Sequence, residues 1–375
     1  MFRKSKKEKT KDGNIDHIKV ALIGCGPGAM SFLHALQKHK ADGVLVPEVT
    51  CYERGPGPGG LWRDIPVEDK SRVKPENSSL MYDDMWTNTP KELMEYYDYT
   101  FDDHFKEATP SFLPRKDILN YIIARNSVDG ALDNVKYNHT VEMATYDSDN
   151  KKFTVQVTDN AAGTTSDEAF DKCIWAAGLN AIAEKPEEIM ELLKDFTGKV
   201  MHSIEATEGF GSDVKGKNVL IVGDSCSSED LALRAVKLGA KHVYICARSG
   251  EGSASSTKVW PLDKITVISG PPYKVLKGNT IKCRAVYWSE KRQRYRKDDD
   301  ELPVKVKDIA TVILCTGYDA NHYCLDESLQ LGDDGQWTIS KGWKMINNSL
   351  TISVGSPKPC EILNVGSTCY PDVYR

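Results

Sequence analysis

The sequence predicts an α/β chain made of two Rossmann-like dinucleotide-binding domains, the second inserted into the first. Three observations carry that prediction. An apolar run, Val20–Ile23, ends in the loop Gly24-Cys-Gly-Pro-Gly-Ala29 and opens onto the apolar-periodic stretch Met30–Leu36. The same order of strand, loop and helix returns at Val219–Val222, Gly223-Asp-Ser-Cys-Ser-Ser228 and Leu231–Leu238. At 375 residues the chain is also longer than one simple core accommodates. The boundaries expected from these patterns are a basic tail over 1–16, one domain over 17–190 and 305–375, and the inserted domain over 191–304.

In the first loop, Gly24 permits the tight turn, Gly26 lets backbone approach a pyrophosphate, and Ala29 keeps helix and strand close. With Pro27 and Gly28 they form a candidate phosphate cradle on the helix N-terminus, where free N–H groups favour an anion. The next strand, Val49–Glu53, ends in Glu53, the expected ribose acid, followed by Arg54. Gly55-Pro-Gly-Pro-Gly-Gly-Leu-Trp62 is too rich in glycine and proline for helix or strand. It reads as a binding loop, with Gly60, Leu61 and Trp62 as candidate cofactor contacts. Thr89, Pro90 and Glu92 have the spacing of a capping box, predicting a helix start there. Asn88 sits just outside that cap, two residues after Trp86, a further candidate cofactor contact. Residues 114–124 read as a helix with Ile118, Tyr121 and Ile122 on one face. Alternation over 135–146 and 153–158, around Asp149-Asn150, reads as an antiparallel hairpin, and Lys172–Gly178 as an apolar strand.

Residues 183–212 read as helix and loop. At the second glycine loop, Gly223, Ser225, Cys226, Ser227 and Ser228 are candidate cofactor contacts, and Gly239 is an expected left-handed helix stop. Strand 241–248 then ends in Arg248 and Ser249 rather than an acid, which suits a 2′-phosphate and favours NADPH over NADH. Lys291–Glu301 changes sign abruptly and reads as a mobile loop. The strand at 311–318 closes on Thr316 and Gly317, further candidate contacts, and a last strand covers 362–367. Two dinucleotide sites in one chain imply one bound redox cofactor and one exchanging partner.

Composition narrows the function classes. Hydrophobic residues make up 40% and charged residues 27%, with a net charge of −5, which argues against a nucleic-acid partner. The basic N-terminus, from Arg3 to Lys11, has no apolar stretch behind it and reads as a solvated tail rather than a secretory signal. No apolar run is long enough to span a bilayer as a helix. Ten cysteines are scattered singly, without C-x-x-C or zinc-like spacing, so no metal site is expected. They read as reduced, buried thiols of a cytoplasmic protein. The absence of a closely spaced redox pair also argues against a disulfide reductase.

In its order of segments the chain resembles the flavin-containing monooxygenase family and, within it, the bacterial trimethylamine monooxygenases, from about residue 17 to about residue 367. The residues carrying the likeness are Gly24–Ala29, Glu53, Gly59–Trp62, Met85–Glu92, Tyr99–Phe105 and Pro110–Arg115. Phe196-Thr-Gly-Lys-Val-Met-His202, Gly223–Asp230 and Leu314–Tyr318 extend it. The resemblance implies FAD in the outer domain, NADPH in the inserted one, and O₂ captured on reduced flavin as a C4a-hydroperoxide. A small tertiary amine or a sulfide would be the substrate. It makes Asn88 the catalytic residue, its amide donating near the reacting oxygen or a flavin atom, and it leaves a homodimer open. A Baeyer–Villiger or N-hydroxylating relative, or an uncoupled FAD- and NADPH-binding protein, are the alternative expectations. Departures from the pattern are Ala206 where an aromatic is expected, Asp224 at a phosphate loop, and Cys226 where tyrosine is typical. The chain also ends early, as a shortened relative or a fragment would.

Overall fold

The computed structural model describes residues 18–63, 81, 84–147, 149–178, 180–207, 209–247, 263–284, 286–289, 291, 294–297, 303–320, 324–326, 329, 344–347, 350–351 and 362–365. The basic tail, Arg248 and Ser249 lie outside them. The chain divides into two compact units: Met1–Arg63, Thr89–Leu179 and His322–Arg375 form the first, and Asp64–Asn88 with Asn180–Asn321 form the second.

In the first unit, β1 (Lys19–Ile23) leads into α1 (Pro27–Ala41) and β2 (Glu48–Glu53). The short helix α2 (Phe101–Phe105), α3 (Arg115–Asn126) and β3 (Val135–Tyr137) follow. Next come β4 (His139–Asp147), β5 (Lys152–Asp159), β6 (Thr164–Phe170) and β7 (Lys172–Trp175). Strand β1 pairs in parallel with β2 and β7, and β2 with β3. Because side chains alternate along a strand, Val20 and Leu22 point to one face and Ala21 and Ile23 to the other, and all four are buried. That is why β1 reads as an unbroken apolar run. One face is covered by Ala29, Met30 and Leu33 of α1 and Ile118, Tyr121 and Ile122 of α3. The other is covered by the antiparallel sheet β4-β5-β6 through Val141, Ala144, Phe153, Val155, Val157 and Phe170. Each large apolar side chain so buried contributes about 1.5–3 kcal/mol.

The helix expected at Thr89 is a single 3₁₀ turn, Lys91–Leu93. Pro90 keeps an extended ψ of 145°, and Glu92 takes the hydroxyl of Ser111 instead of reaching back to a cap. The reciprocal capping box lies eleven residues later, where Thr100 and Asp103 start α2.

The second unit contains β8 (Asn180–Ala183), α4 (Glu187–Leu192), β9 (Lys199–His202), α5 (Phe210–Val214), β10 (Asn218–Val222), α6 (Cys226–Lys237), β11 (His242–Cys246) and β12 (Ile265–Ile268). The strands β13 (Pro272–Leu276), β14 (Thr280–Cys283), β15 (Val286–Ser289), β16 (Arg294–Lys297), β17 (Val304–Val306), β18 (Ile309–Leu314) and β19 (Tyr318–Ala320) complete it. Five parallel strands run in the order β12-β11-β10-β18-β9. Val219, Ile221, Val243, Ile245 and Ile313 pack under α5 and α6 on one face. Leu220, Val222, Val312 and Leu314 meet Leu193, Phe196, Ile281 and Val306 on the other. In that second layer the sulfurs of Cys246 and Cys283 stand 3.3 Å apart.

Three expectations are corrected here. Residues 183–212 include strand β9, which closes the sheet edge beside β18. Part of the charged 291–301 stretch is β16, paired antiparallel with β15. The second unit is also larger than expected: β18 belongs to its sheet through pairing with β10 and β9, and residues 64–88 group with it. The chain then returns to the first sheet with β20 (Lys344–Asn347), β21 (Leu350–Thr351) and β22 (Ile362–Val365). Strand β22 pairs in parallel with β7.

Candidate dinucleotide sites

The first unit brings its predicted residues together around the end of β1. Gly24 has φ +91°, and its N–H donates to the Tyr52 carbonyl at 2.8 Å. A Cβ there would lie 2.8 Å from Ala177 Cα and 3.0 Å from the Ala176 carbonyl oxygen, so only glycine fits against the end of β7. Across the loop, a Cβ on Gly60 would approach Gly26 Cα to 2.9 Å, and Gly59 N–H donates to the Cys25 carbonyl. The two glycine loops thus face each other across a gap that a Cβ on Gly60 would fill.

Pro27, Gly28 and Ala29 form the first turn of α1, which has no side-chain cap and no acidic residue in that turn. Its positive dipole end is left for an anion. Glu53 is held in advance: Cys25 N–H donates to one carboxylate oxygen at 2.7 Å and Gly55 N–H to the other at 2.8 Å. A carboxylate accepts about four hydrogen bonds, so each oxygen retains capacity for a ribose hydroxyl. Behind it, Cys51 is buried, and contact with the Cys25 thiol together with burial pushes its own thiol up. Arg63 closes the loop through Nε to the Pro58 carbonyl at 2.8 Å. Trp62 packs against the core under α1 and α3, Leu61 is 41% exposed, and Arg54 is exposed.

The second unit repeats the steric device. Gly223 has φ +123°, its N–H donates to the Cys246 carbonyl, and a Cβ would meet the Cys315 carbonyl oxygen at 2.2 Å. Ser225 is the N-cap of α6 and makes no side-chain cap bond. Cys226, Ser227 and Ser228 form the first turn, with Ser228 fully buried. The electrostatics differ from the first loop: Glu229 lies in the first turn and Asp224, half-buried, in the loop. Cys226 is exposed, so the expectation of buried thiol fails at this one cysteine among those described. Burial pushes the Cys315 thiol up to about 12.

His202 is fully buried beside that loop. Its Nδ1 accepts from Ile204 N–H at 3.3 Å, so Nε2 carries the proton and donates to the Gly317 carbonyl at 3.1 Å. Burial lowers its pKa, which keeps the ring neutral, and Tyr318 packs edge-on at 5.1 Å. Gly317 O also accepts from Glu184 N–H, and the Thr316 hydroxyl donates to the Glu184 carbonyl. Thr316 and Gly317, expected in the outer domain, therefore anchor the second unit, where β18 ends. Ala206, at the position where an aromatic was expected, is fully buried in the α6 core with Phe210.

Asn88 and Trp86 were expected with the first glycine loop, but the structure groups them with the second unit. Trp86 is 56% exposed, Thr87 buried and Asn88 exposed. Sequence reasoning missed Arg234 and Asp84, whose Nε to Oδ1 distance is 2.8 Å. The only signal was a cation inside the apolar run of α6.

A family model described as FMO-like, flavin-binding monooxygenase-like, matches residues 17–293. The chain belongs to that family. Among curated relatives, the trimethylamine monooxygenase of Pelagibacter sp. strain HTCC7211 is 33% identical over 316 residues, covering 84% of this chain and 64% of that one. The crystal structure of Tmm from the same strain matches with a TM-score of 0.68 at 31% identity, over 84% of this chain and 64% of that one. The S-allyl-L-cysteine S-oxygenase of Allium sativum shares the fold, with a TM-score of 0.64 at 23% identity over 84% of this chain and 66% of that one. The chain thus spans about two thirds of the length of these family members. Among the described residues no helix is long and apolar enough to cross a membrane.

Proposed function

We propose that this chain holds FAD on its first glycine loop and takes NADPH on its second, and that it oxygenates a small tertiary amine or a sulfide. The observation that carries the reading is the pair of backbone cradles, Gly24 against Ala177 and Gly223 against Cys315, each open only to glycine and each at the head of a helix. The name of the trimethylamine relative supports the amine, and the family's flavin-binding description supports the cofactor.

In the balanced reaction, amine, O₂, NADPH and a proton give N-oxide, NADP⁺ and water. When bound, NADPH supplies the hydride and the flavin supplies oxygen activation. The protein's share is positioning and dryness. The α1 N-terminus neutralises a pyrophosphate, and Glu53, fixed by two backbone N–H groups, orients the ribose. The Asn88 amide donates a hydrogen bond to the reacting oxygen or to a flavin atom. His202, neutral and protonated at Nε2, holds the Gly317 carbonyl and with it the strand end beside the second loop. Arg248 and Ser249 take the 2′-phosphate. Buried free thiols at seven of the described cysteines fit a cytoplasmic setting.

The test is product balance. Purified protein loaded with FAD should oxidise NADPH and form trimethylamine N-oxide in near-equal amounts. Asn88→Ala should keep NADPH oxidation while product falls and H₂O₂ rises. NADPH consumption with stoichiometric H₂O₂ in the unaltered protein, indifferent to amine or sulfide, would reject oxygenation in favour of an uncoupled oxidase.

A further inference from the structure

We propose that Arg234 is a positioning residue: its guanidinium fixes the 84–88 segment on the second unit and so sets where Asn88 sits. Four observations meet at this side chain. Its Nε lies 2.8 Å from Asp84 Oδ1 and 3.1 Å from Oδ2. Its Nη1 donates to the Ala206 carbonyl at 2.5 Å. Its central guanidinium carbon lies over the Phe210 ring, 4.9 Å from the centroid. The side chain is 15% exposed, whereas that of Asp84 is 58% exposed.

One guanidinium therefore joins three pieces of chain. Helix α6 starts at the second glycine loop, residues 203–210 lead away from His202, and residues 84–88 carry Asn88. Arginine suits all three at once: its rigid flat fork aims Nε and Nη1 at two fixed acceptors while its central carbon lies over a ring, whereas a lysine ammonium is a point charge without that fixed geometry. Four residues after Asp84, Asn88 is exposed while Thr87 before it is buried. The segment is thus seated at Asp84 and again at Thr87, with the Asn88 side of it left facing outward. Losing the Asp84 anchor loosens the segment that carries Asn88, and the amide of Asn88 then samples a wider range of positions. A misplacement of about 1 Å at a group that hydrogen-bonds the reacting atoms is enough to cost turnover. The consequence for product yield rests on the oxygenase reading above, while the clamp itself does not.

The experiment compares the full chain, loaded with FAD, with Arg234→Met, Arg234→Lys and Asp84→Asn. Amide hydrogen exchange across residues 84–88 should quicken about three- to tenfold in Arg234→Met, the range set by losing one partly exposed charge-assisted pair. Exchange in β10 and β11 should stay unchanged. N-oxide formed per NADPH consumed should fall by about half or more, with KM for NADPH little altered. Arg234→Lys should regain thermal stability without regaining product yield. Asp84→Asn alters an exposed side chain, so it keeps the test valid should Arg234→Met fold poorly, and it should reproduce both effects. Unchanged exchange in Asp84→Asn would overturn the clamp. Faster exchange with undiminished product yield would overturn its control of Asn88. Should the unaltered protein form no oxygenated product from amine or sulfide, the functional reading fails and control of product yield fails with it. The exchange comparison then still decides whether Arg234 holds the segment.

Discussion

Replacing Gly24 by alanine tests whether the first loop is shaped by close backbone approach rather than by glycine's flexibility alone. An L-residue at φ +91° costs about 1–2 kcal/mol in backbone strain. The new methyl would also stand 2.8 Å from Ala177 Cα and 3.0 Å from both the Ala176 carbonyl oxygen and Ala177 N. All three are backbone atoms at the end of β7, so no side chain can swing away, and overpacking adds about 1–3 kcal/mol. The expected loss is about 2–5 kcal/mol, a large share of a stability of about 5–15 kcal/mol. Gly43 supplies the control: its φ is +75°, yet a Cβ there meets nothing within 4 Å, so Gly43→Ala should lose only the backbone part, about 1–2 kcal/mol. Urea denaturation of both variants, with the ratio of flavin to protein absorbance after purification, reads the difference. Gly24→Ala should be the less stable of the two and should purify with less flavin, because the displaced turn carries the N-terminus of α1 with it. Equal destabilisation and equal flavin content in the two variants would refute the reasoning.

Asp224→Asn should tighten NADPH about fivefold, corresponding to about 1 kcal/mol of carboxylate repulsion removed from the mouth of α6. Steady-state KM for NADPH and direct titration check it, and an unchanged value would mean that Asp224 does not face the ligand. For pH, burial lowers the His202 pKa below its unfolded value of about 6.5, so the unfolded chain binds the proton more readily. Stability is therefore full above about 6.5 and falls as pH drops below it, by up to about 1.4 kcal/mol per pH unit for this one ring. Urea midpoints measured from pH 8 to pH 5 should show that slope, and His202→Gln should flatten it.

The first glycine loop, Glu53 and the hairpin β4-β5 were legible in the sequence because each rests on local rules: a strand followed by glycine, an acid at a strand end, alternation across a turn. The unit boundaries were not. Strand β18 is a short apolar run like those of the outer sheet, and no local pattern tells Ile309–Leu314 which sheet it joins; pairing with β10 decides it. The Thr89-Pro90-Glu92 signal was a genuine capping pattern defeated by tertiary context, since Ser111 claims Glu92. Arg234 with Asp84, and Cys246 with Cys283, are partners far apart in sequence, and spacing carries no information about such contacts.

The two cradles use one steric device with different charges at the helix start, a contrast that suits the proposed resident and exchanging ligands. Helix α1 has no acid in its first turn and carries Lys38 and Lys40 in its last, charges that suit its dipole, so no acid in its first turn opposes an anion at its N-terminus. Glu53, the proposed ribose acid, is already fixed by two backbone hydrogen bonds, which would remove an ordering cost from binding. Helix α6 begins beside Asp224 and carries Glu229 in its first turn, two carboxylates where a phosphate would arrive. Each weakens anion binding there while leaving the backbone shape intact. A cofactor held through many turnovers suits the first arrangement, and a hydride donor that must leave after every cycle suits the second. Restoring a neutral residue at 224 should therefore tighten NADP⁺ as well as NADPH and make product release slower, so that kcat falls while KM improves.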